Sequence, residues 1–347
     1  MKSHHRFGRR GSASTALALM AIGTLALAAC TEPTSTETSA GTDGEGTSDG
    51  GAEDGYNVTM ILGVSGDEGY LTDACGARGV ALDNNITMDV QAADAFDPAA
   101  QIPVLQAAIA TQPDAILIAP VDATALIAPI QEAVAAGIKV ILFDTTLEDL
   151  TGIETVVGVD NAAGGQMAAE AMAEILGETG QVFVSNINPG VSTTDARQSG
   201  FEEGIAAYPG IEYLGAQYNN NDPQRAAQIA SSMVTANPEL AGIFGTNLFS
   251  VEGTVTGLRN ADALDSVAVV GFDATPGEVE ALQAGEVQAL VAQKLRELGA
   301  TAMQAAVDVL NGDPVEPEYF VGFHVITPEN IDTPESQEAF YVAECEI

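Results

Sequence analysis

Basic side chains are scarce. The 347-residue chain has 11 Lys and Arg against 49 Asp and Glu, and Lys2, Arg6, Arg9 and Arg10 account for four of the eleven. A chain so poor in cations cannot neutralise a phosphate backbone, the dominant contribution to nucleic-acid affinity. Nor does it suit docking on an anionic lipid surface. The acids read as a solvated surface that keeps an exposed protein dispersed, rather than as a site for a specific cationic partner.

Histidine is almost as rare. His4 and His5 sit beside the N-terminal basic residues, which leaves His324 within the apolar stretch Tyr319–Ile326. A structural histidine is the expectation there. Without more histidines there is no assured Ser-His-Asp set, and no Cys/His cluster has zinc spacing. Neither a catalytic residue, a metal site nor a cofactor is therefore expected. Gly63–Gly69 follows a strand and opens onto a helix, yet it lacks both the Gly-Lys-Ser/Thr ending of a P-loop and the G-x-G-x-x-G fingerprint. Phe143–Leu147 hints at an aspartyl phosphatase, but the second carboxylate is missing.

Long apolar runs are limited to one. Leu17–Leu27 follows the basic start and ends at Leu27-Ala28-Ala29-Cys30. It falls short of the roughly 20 residues needed to span a bilayer, and the layout is that of a secretion signal. A cysteine after small residues fits a lipoprotein signal over residues 1–29. Cys30 would then be acylated and become the new N-terminus, anchoring the protein on the extracytoplasmic face of a bacterial cell membrane. An ordinary signal would leave that cysteine incidental, and the residues after Arg9-Arg10 give twin-arginine export little support. Residues 30–55 supply the acylated cysteine and then Ser, Thr, Gly, Asp and Glu with almost nothing apolar, a composition that cannot offset the entropy of ordering. They read as a flexible stalk. Cys75 and Cys345 remain, in a compartment where disulfides persist. Two such cysteines pair more often than they stay free, so a staple between a C-terminal tail and the body is expected, with free thiols the alternative.

What is present from Asn57 onward is an alternation of short apolar runs and helical periods. Val58–Leu62, Met88–Ala92, Ala115–Ala119 and Lys139–Phe143 read as strands, with helices over Leu71–Leu82, Ala99–Thr111 and Ala123–Ala136. The rhythm restarts with strands at Gln181–Ser185, Ile211–Gly215, Ala241–Gly245 and Val267–Gly271, and helices at Thr194–Tyr208, Pro223–Ala236 and Ser250–Leu258. Asp97, Asp122, Asp160 and Asp222 stand where helix caps belong. Continuous apolar strands imply sheets covered on both faces, hence an α/β protein of two doubly wound parallel-sheet lobes. Ligands of such sheets bind at the C-terminal strand edge. Polar residues collect at that edge: Asp144, Asn247, Asp273 and Gln293, with Arg197 early in a helix of the second lobe. Carboxylates, amides and a guanidinium together form a hydroxyl-binding set.

Asp160–Gly165, Ser192–Phe201 and Val269–Pro276, supported by Pro120–Asp122 and Ala289–Gln293, resemble the type I periplasmic sugar-binding proteins, the ribose- and galactose-type receptors of ABC transporters. The resemblance runs from about Asn57 to Asp332. It implies that Asp67 and Tyr70 hold ligand from the first-strand loop, with Asp144, Arg197, Asn247, Asp273 and Gln293 completing the site. Thr145 stands where a ribose-type receptor often has arginine, and is carried in the ligand set. Gly69 replaces one of two adjacent aromatics, and another aromatic position falls at Asn221. With no Trp in the chain, face-stacking on a pyranose is limited. The implied ligand is a small polyol-like molecule, with ribose itself unsupported. The resemblance also implies three crossings between lobes: 56–159 plus 294–322 for lobe one, 160–293 plus 323–331 for lobe two. The tail 332–347 would pack back on lobe one through Cys345, the cysteine pair marking a subgroup.

The implied function is a monomeric substrate-binding lipoprotein that closes on a small-molecule sugar and delivers it to an ABC permease of the same membrane. The alternative is a sensor component for chemotaxis or two-component signalling. A lactose-repressor-type regulator shares such a body but needs a DNA-binding head, and an extracytoplasmic sugar-processing enzyme lacks a motif.

Overall fold

Strand–helix alternation is realised in two six-stranded sheets. The structure, a computed structural model, describes residues 55–342, 344 and 345; the expected signal, Cys30 and residues 31–54 of the stalk lie outside the described residues. The chain begins with β1 (Asn57–Leu62), α1 (Glu68–Asp83), β2 (Thr87–Ala92), α2 (Pro98–Thr111), β3 (Ala115–Ile118), α3 (Ile127–Ala135), β4 (Lys139–Phe143) and β5 (Thr155–Gly158). It continues through α4 (Asn161–Leu176), β6 (Gly180–Asn186), α5 (Ser192–Ile205), β7 (Ile211–Tyr218), α6 (Pro223–Ala236), β8 (Leu240–Gly245), α7 (Leu248–Asn260), β9 (Ala268–Phe272), α8 (Pro276–Gln283) and β10 (Ala289–Gln293). The end is α9 (Leu295–Asn311), β11 (Glu318–Phe320), β12 (Phe323–Ile326) and α10 (Pro334–Glu338).

Lobe one has strand order β11-β5-β4-β3-β1-β2 and lobe two β12-β10-β9-β8-β6-β7. All pairings are parallel except β12 against β10. Buried runs such as Ala115–Ile118 and Ile141–Phe143 explain the topology, because helices exclude water from both sheet faces. Asp97 and Asp222 cap α2 and α6 as expected, each accepting from backbone N–H groups one turn ahead. Asp122 does not cap a helix. Its Oδ1 accepts from Thr124 N and Ala125 N within a turn, and α3 starts later, at Ile127. Among the described residues no helix is long and apolar enough to cross a membrane.

The apolar stretch Tyr319–Ile326 holds two strands. β11 pairs with β5 in lobe one and β12 pairs with β10 in lobe two. At the break Val321 N donates to Gly158 O, and Gly322 O accepts from Lys294 N, so this crossing is bonded to the other two. Those two join β5 to α4 and β10 to α9. His324, half-buried on β12, has a ring nitrogen 3.0 Å from Ser336 Oγ, a structural contact.

The tail departs from expectation. Rather than packing on lobe one alone, it first covers lobe two: Ala339 joins that lobe's core, and Tyr341 N donates to Ala274 O. Tyr341 is also buried in the lobe-one core, Val342 N donates to Thr72 Oγ1, and Cys345 is disulfide-bonded to Cys75 with Cα atoms 5.4 Å apart. The tail thus crosses between lobes a fourth time. The bridge joins residues 270 apart in sequence, so Cys75→Ser is expected to cost about 2–5 kcal/mol through the larger entropy of the open unfolded chain. Thermal melts with and without reductant check this: reductant should lower the melting temperature of the wild type and leave the variant's unchanged.

Candidate functional site

The C-terminal strand edges of the two sheets face each other across a cleft. Asp67, Tyr70, Asp144, Arg197, Asn247, Asp273 and Gln293 all line it. Thr145 is not among the lining residues. It is buried beneath the site, its N–H donating to Phe143 O at 2.7 Å.

Each side chain is held by the element that carries it. Asp67 caps α1, its Oδ1 accepting from Gly69 N at 2.8 Å and Tyr70 N at 3.3 Å. Gly63, just after β1, leaves room for the Tyr70 ring; a Cβ there would strike it. Tyr70 packs edge-on against Phe143 and donates to Asp144 Oδ2 at 3.0 Å, so it anchors a carboxylate as well as presenting an aromatic surface.

Asp144 and Asp273 follow β4 and β9 with φ of 59° and 95°. A non-glycine residue in that region is strained, and such strain collects at ligand sites. Asp273 is held through both oxygens: Oδ1 accepts from Gln293 Nε2 and Tyr341 Oη, both at 2.8 Å, and Oδ2 accepts from Leu248 N at 3.2 Å. Asn247 caps α7 and donates through Nδ2 to Asn221 Oδ1 at 2.7 Å.

Arg197 is the cation of the site. Its Nε donates to Asn161 Oδ1 and its Nη1 to Thr246 O, both at 2.8 Å, and the guanidinium lies 3.8 Å from the centroid of Phe272. Close packing of α4 on α5 places it. A Cβ at Gly165 would meet Arg197 O, and one at Gly200 would meet Ala162 O. The two motifs Asp160–Gly165 and Ser192–Phe201 are therefore one device: glycines bring two helices together so that Asn161 orients Arg197.

Two hydrogen bonds span the lobes across the cleft. Ala123 N donates to Gly190 O at 3.1 Å, and Thr146 N donates to Ser192 Oγ at 2.9 Å. The lobes are thus in contact, and opening would break both bonds.

Residues 58–314 match the periplasmic binding protein domain family. The chain belongs to that family. It is 29% identical over 203 residues to the ribose import binding protein of Bacillus subtilis (strain 168), an alignment covering 58% of this chain and 65%, just under two thirds, of that one. It is 26% identical over 272 residues to a D-ribose/D-allose-binding protein of Pseudomonas aeruginosa, covering 75% and 84%. Among solved structures it is similar to an ABC transporter solute-binding protein of Agrobacterium vitis bound with α-D-tagatopyranose, with TM-score 0.81 and 37% identity over 83% of this chain and 99% of that one.

This periplasmic binding protein concentrates carboxyls in its cleft. Burial, then the charges of Asp273 and Asp144, push Asp67 up to about 7 against the pull of two backbone N–H groups. Burial raises Asp144 to about 6, although Arg197 and Tyr70 favour its charged form. Both folded values exceed the ordinary 3.8, so the folded state binds protons more tightly than the unfolded chain. These two carboxyls should therefore cost the unliganded protein stability as pH rises from about 4 to about 7. Melting temperatures between pH 5 and 8 check the slope, which should flatten in Asp67→Asn.

Sequence reasoning missed Asp73, Thr194 and Tyr341. Asp73 and Thr194 line the cavity, and Tyr341 holds Asp273. Asp73 had a legible signal: it lies three residues after Tyr70, on the helix face that continues to the buried Ala77. Tyr341 had none, because nothing in a short terminal tail marks it out from the adjacent Phe340.

Proposed function

We propose that this chain is the solute-binding component of an ABC importer, capturing a small sugar or polyol between its lobes. The observation that carries the reading is the convergence of unused hydrogen-bonding capacity on one cavity. Thr194 Oγ1, Gln293 Oε1 and Asp73 Oδ1 are buried with no hydrogen-bond partner among the described residues, and all three residues line the cleft. Buried polar groups without partners are costly, and a polyhydroxyl ligand supplies both donors and acceptors to them. Relatives named for ribose and allose, and a similar structure bound with tagatopyranose, support the same ligand class.

Ligand bridging both lobes favours the closed arrangement by differential affinity, and a permease would read that state. Lipid attachment at Cys30, behind a flexible stalk on the extracytoplasmic face, would hold a monomeric receptor near its importer. The test is a thermal-shift and calorimetric screen of the purified protein against D-tagatose, D-allose, D-arabinose, D-ribose, polyols and nucleosides. A true ligand raises the melting temperature by mass action. A screen in which no sugar or polyol binds would overturn the reading, and binding of nucleosides alone would replace the ligand class. A Cys30→Ala variant released from the membrane fraction would support the anchor; one that stays there would refute it.

A further inference from the structure

Of the three unpartnered groups that carry the receptor reading, one is a carboxyl. Asp73 lies in the second turn of α1, 1% exposed. Its Oδ1 has no hydrogen-bond partner among the described residues, and the residue lines the cavity together with Asp67, Asp144 and Asp273. The α1 backbone cannot shift to relieve it, because α9 presses against it there: a Cβ at Gly299 would run into Asp73 O. A carboxyl fixed in this way, with one oxygen unserved, is a cost to the unliganded fold.

We propose that Asp73 is a ligand contact, taking one hydroxyl of the bound sugar on the lobe-one floor of the cleft and making the receptor selective for sugars that carry that hydroxyl. The proposal rests on the sugar-receptor reading above. Burial and the neighbouring carboxylates Asp144, Asp67 and Asp273 hold Asp73 well above the usual carboxylate range, so a protonated Asp73 donates to a sugar oxygen as readily as an ionised one accepts. A site built to bond a substrate hydroxyl discriminates far more strongly against its absence than an apolar pocket does.

Two effects of opposite sign follow for Asp73→Leu. Removing an unpartnered buried carboxyl should raise the melting temperature of the unliganded protein, while sugar affinity falls. A residue with only a structural role would lower the first and leave the second unchanged.

The deciding experiment is a cycle between protein and ligand. The tightest binder among D-tagatose, D-allose, D-arabinose, D-ribose and the polyols, and each of its monodeoxy analogues, are titrated calorimetrically into the wild type, Asp73→Leu and Asp73→Asn. One analogue should lose about 100-fold or more against the wild type, and that penalty should shrink to about threefold or less in Asp73→Leu. Asp73→Asn, which keeps the shape and half the hydrogen-bonding capacity, should retain part of it and serves alone if the leucine variant does not fold. If every deoxy penalty is the same whatever residue occupies position 73, the proposal is overturned while the receptor reading stands. If no sugar or polyol in the screen binds the wild type, the receptor reading falls and the proposal with it.

Discussion

Arg197→Ala is expected to reduce sugar affinity by at least about 100-fold and, at the same time, to lower the melting temperature of the unliganded protein. The affinity loss follows from the charge at stake. A hydrogen bond to a charged group contributes about 1.5–3 kcal/mol, and a guanidinium serves two ligand oxygens in one plane. Loss of fold stability runs against the simpler expectation that a cleft arginine contributes little to either core. Arg197 is 3% exposed, bonded to Asn161 and Thr246 and stacked on Phe272. Alanine would strand those partners, at about 2–4 kcal/mol. It would also remove the cation that favours ionised Asp144. Arg197→Lys should restore part of the stability without the affinity, since an ammonium cannot reproduce the fork. Calorimetric titration and thermal melts on the three proteins check this; unchanged affinity in the alanine variant would sink the site.

Gly165→Ala is expected to be among the most damaging single-methyl changes in the body. The added Cβ would meet Arg197 O and Phe201 N, both backbone atoms that cannot rotate away. Helices α4 and α5 would have to separate, at about 3 kcal/mol or somewhat more. Because α5 carries both Thr194 and Arg197 into the cleft, affinity should fall along with stability. Gly79→Ala is the matched control. It lies within α1 with open space around its Cβ position, where alanine should stabilise by about 0.4–1 kcal/mol. A melting temperature for Gly165→Ala equal to that of the control would refute the close-packing account.

The lobes were legible because their strands are unbroken apolar runs such as Val58–Leu62 and Lys139–Phe143, separated by helices with Asp caps. β5 was not, since Thr155–Gly158 is too short to stand out from its polar surroundings. The break between β11 and β12 does not show in hydropathy, since both halves are apolar; the expected lobe boundary at 322/323 rests on the resemblance alone. Residues at strand ends pointed to the cleft because topology places those ends together. Asp73 was missed because an acid within a helix ordinarily faces water, and that expectation outweighed its spacing from Tyr70; the packing of α9 on α1 encloses it. The tail's path over lobe two was equally hidden, because a cysteine tells where a chain ends up and nothing of its route.

The bridge from Cys75 to Cys345 has a consequence beyond its energy. It closes residues 75–345, which hold β2 to β12 and every crossing, into one covalent ring, with β1 and the start of α1 outside it. A single cut by a protease in any surface loop between those cysteines opens the ring without releasing a fragment. The nicked protein would migrate as one piece until reduced, with both walls of the cleft still joined.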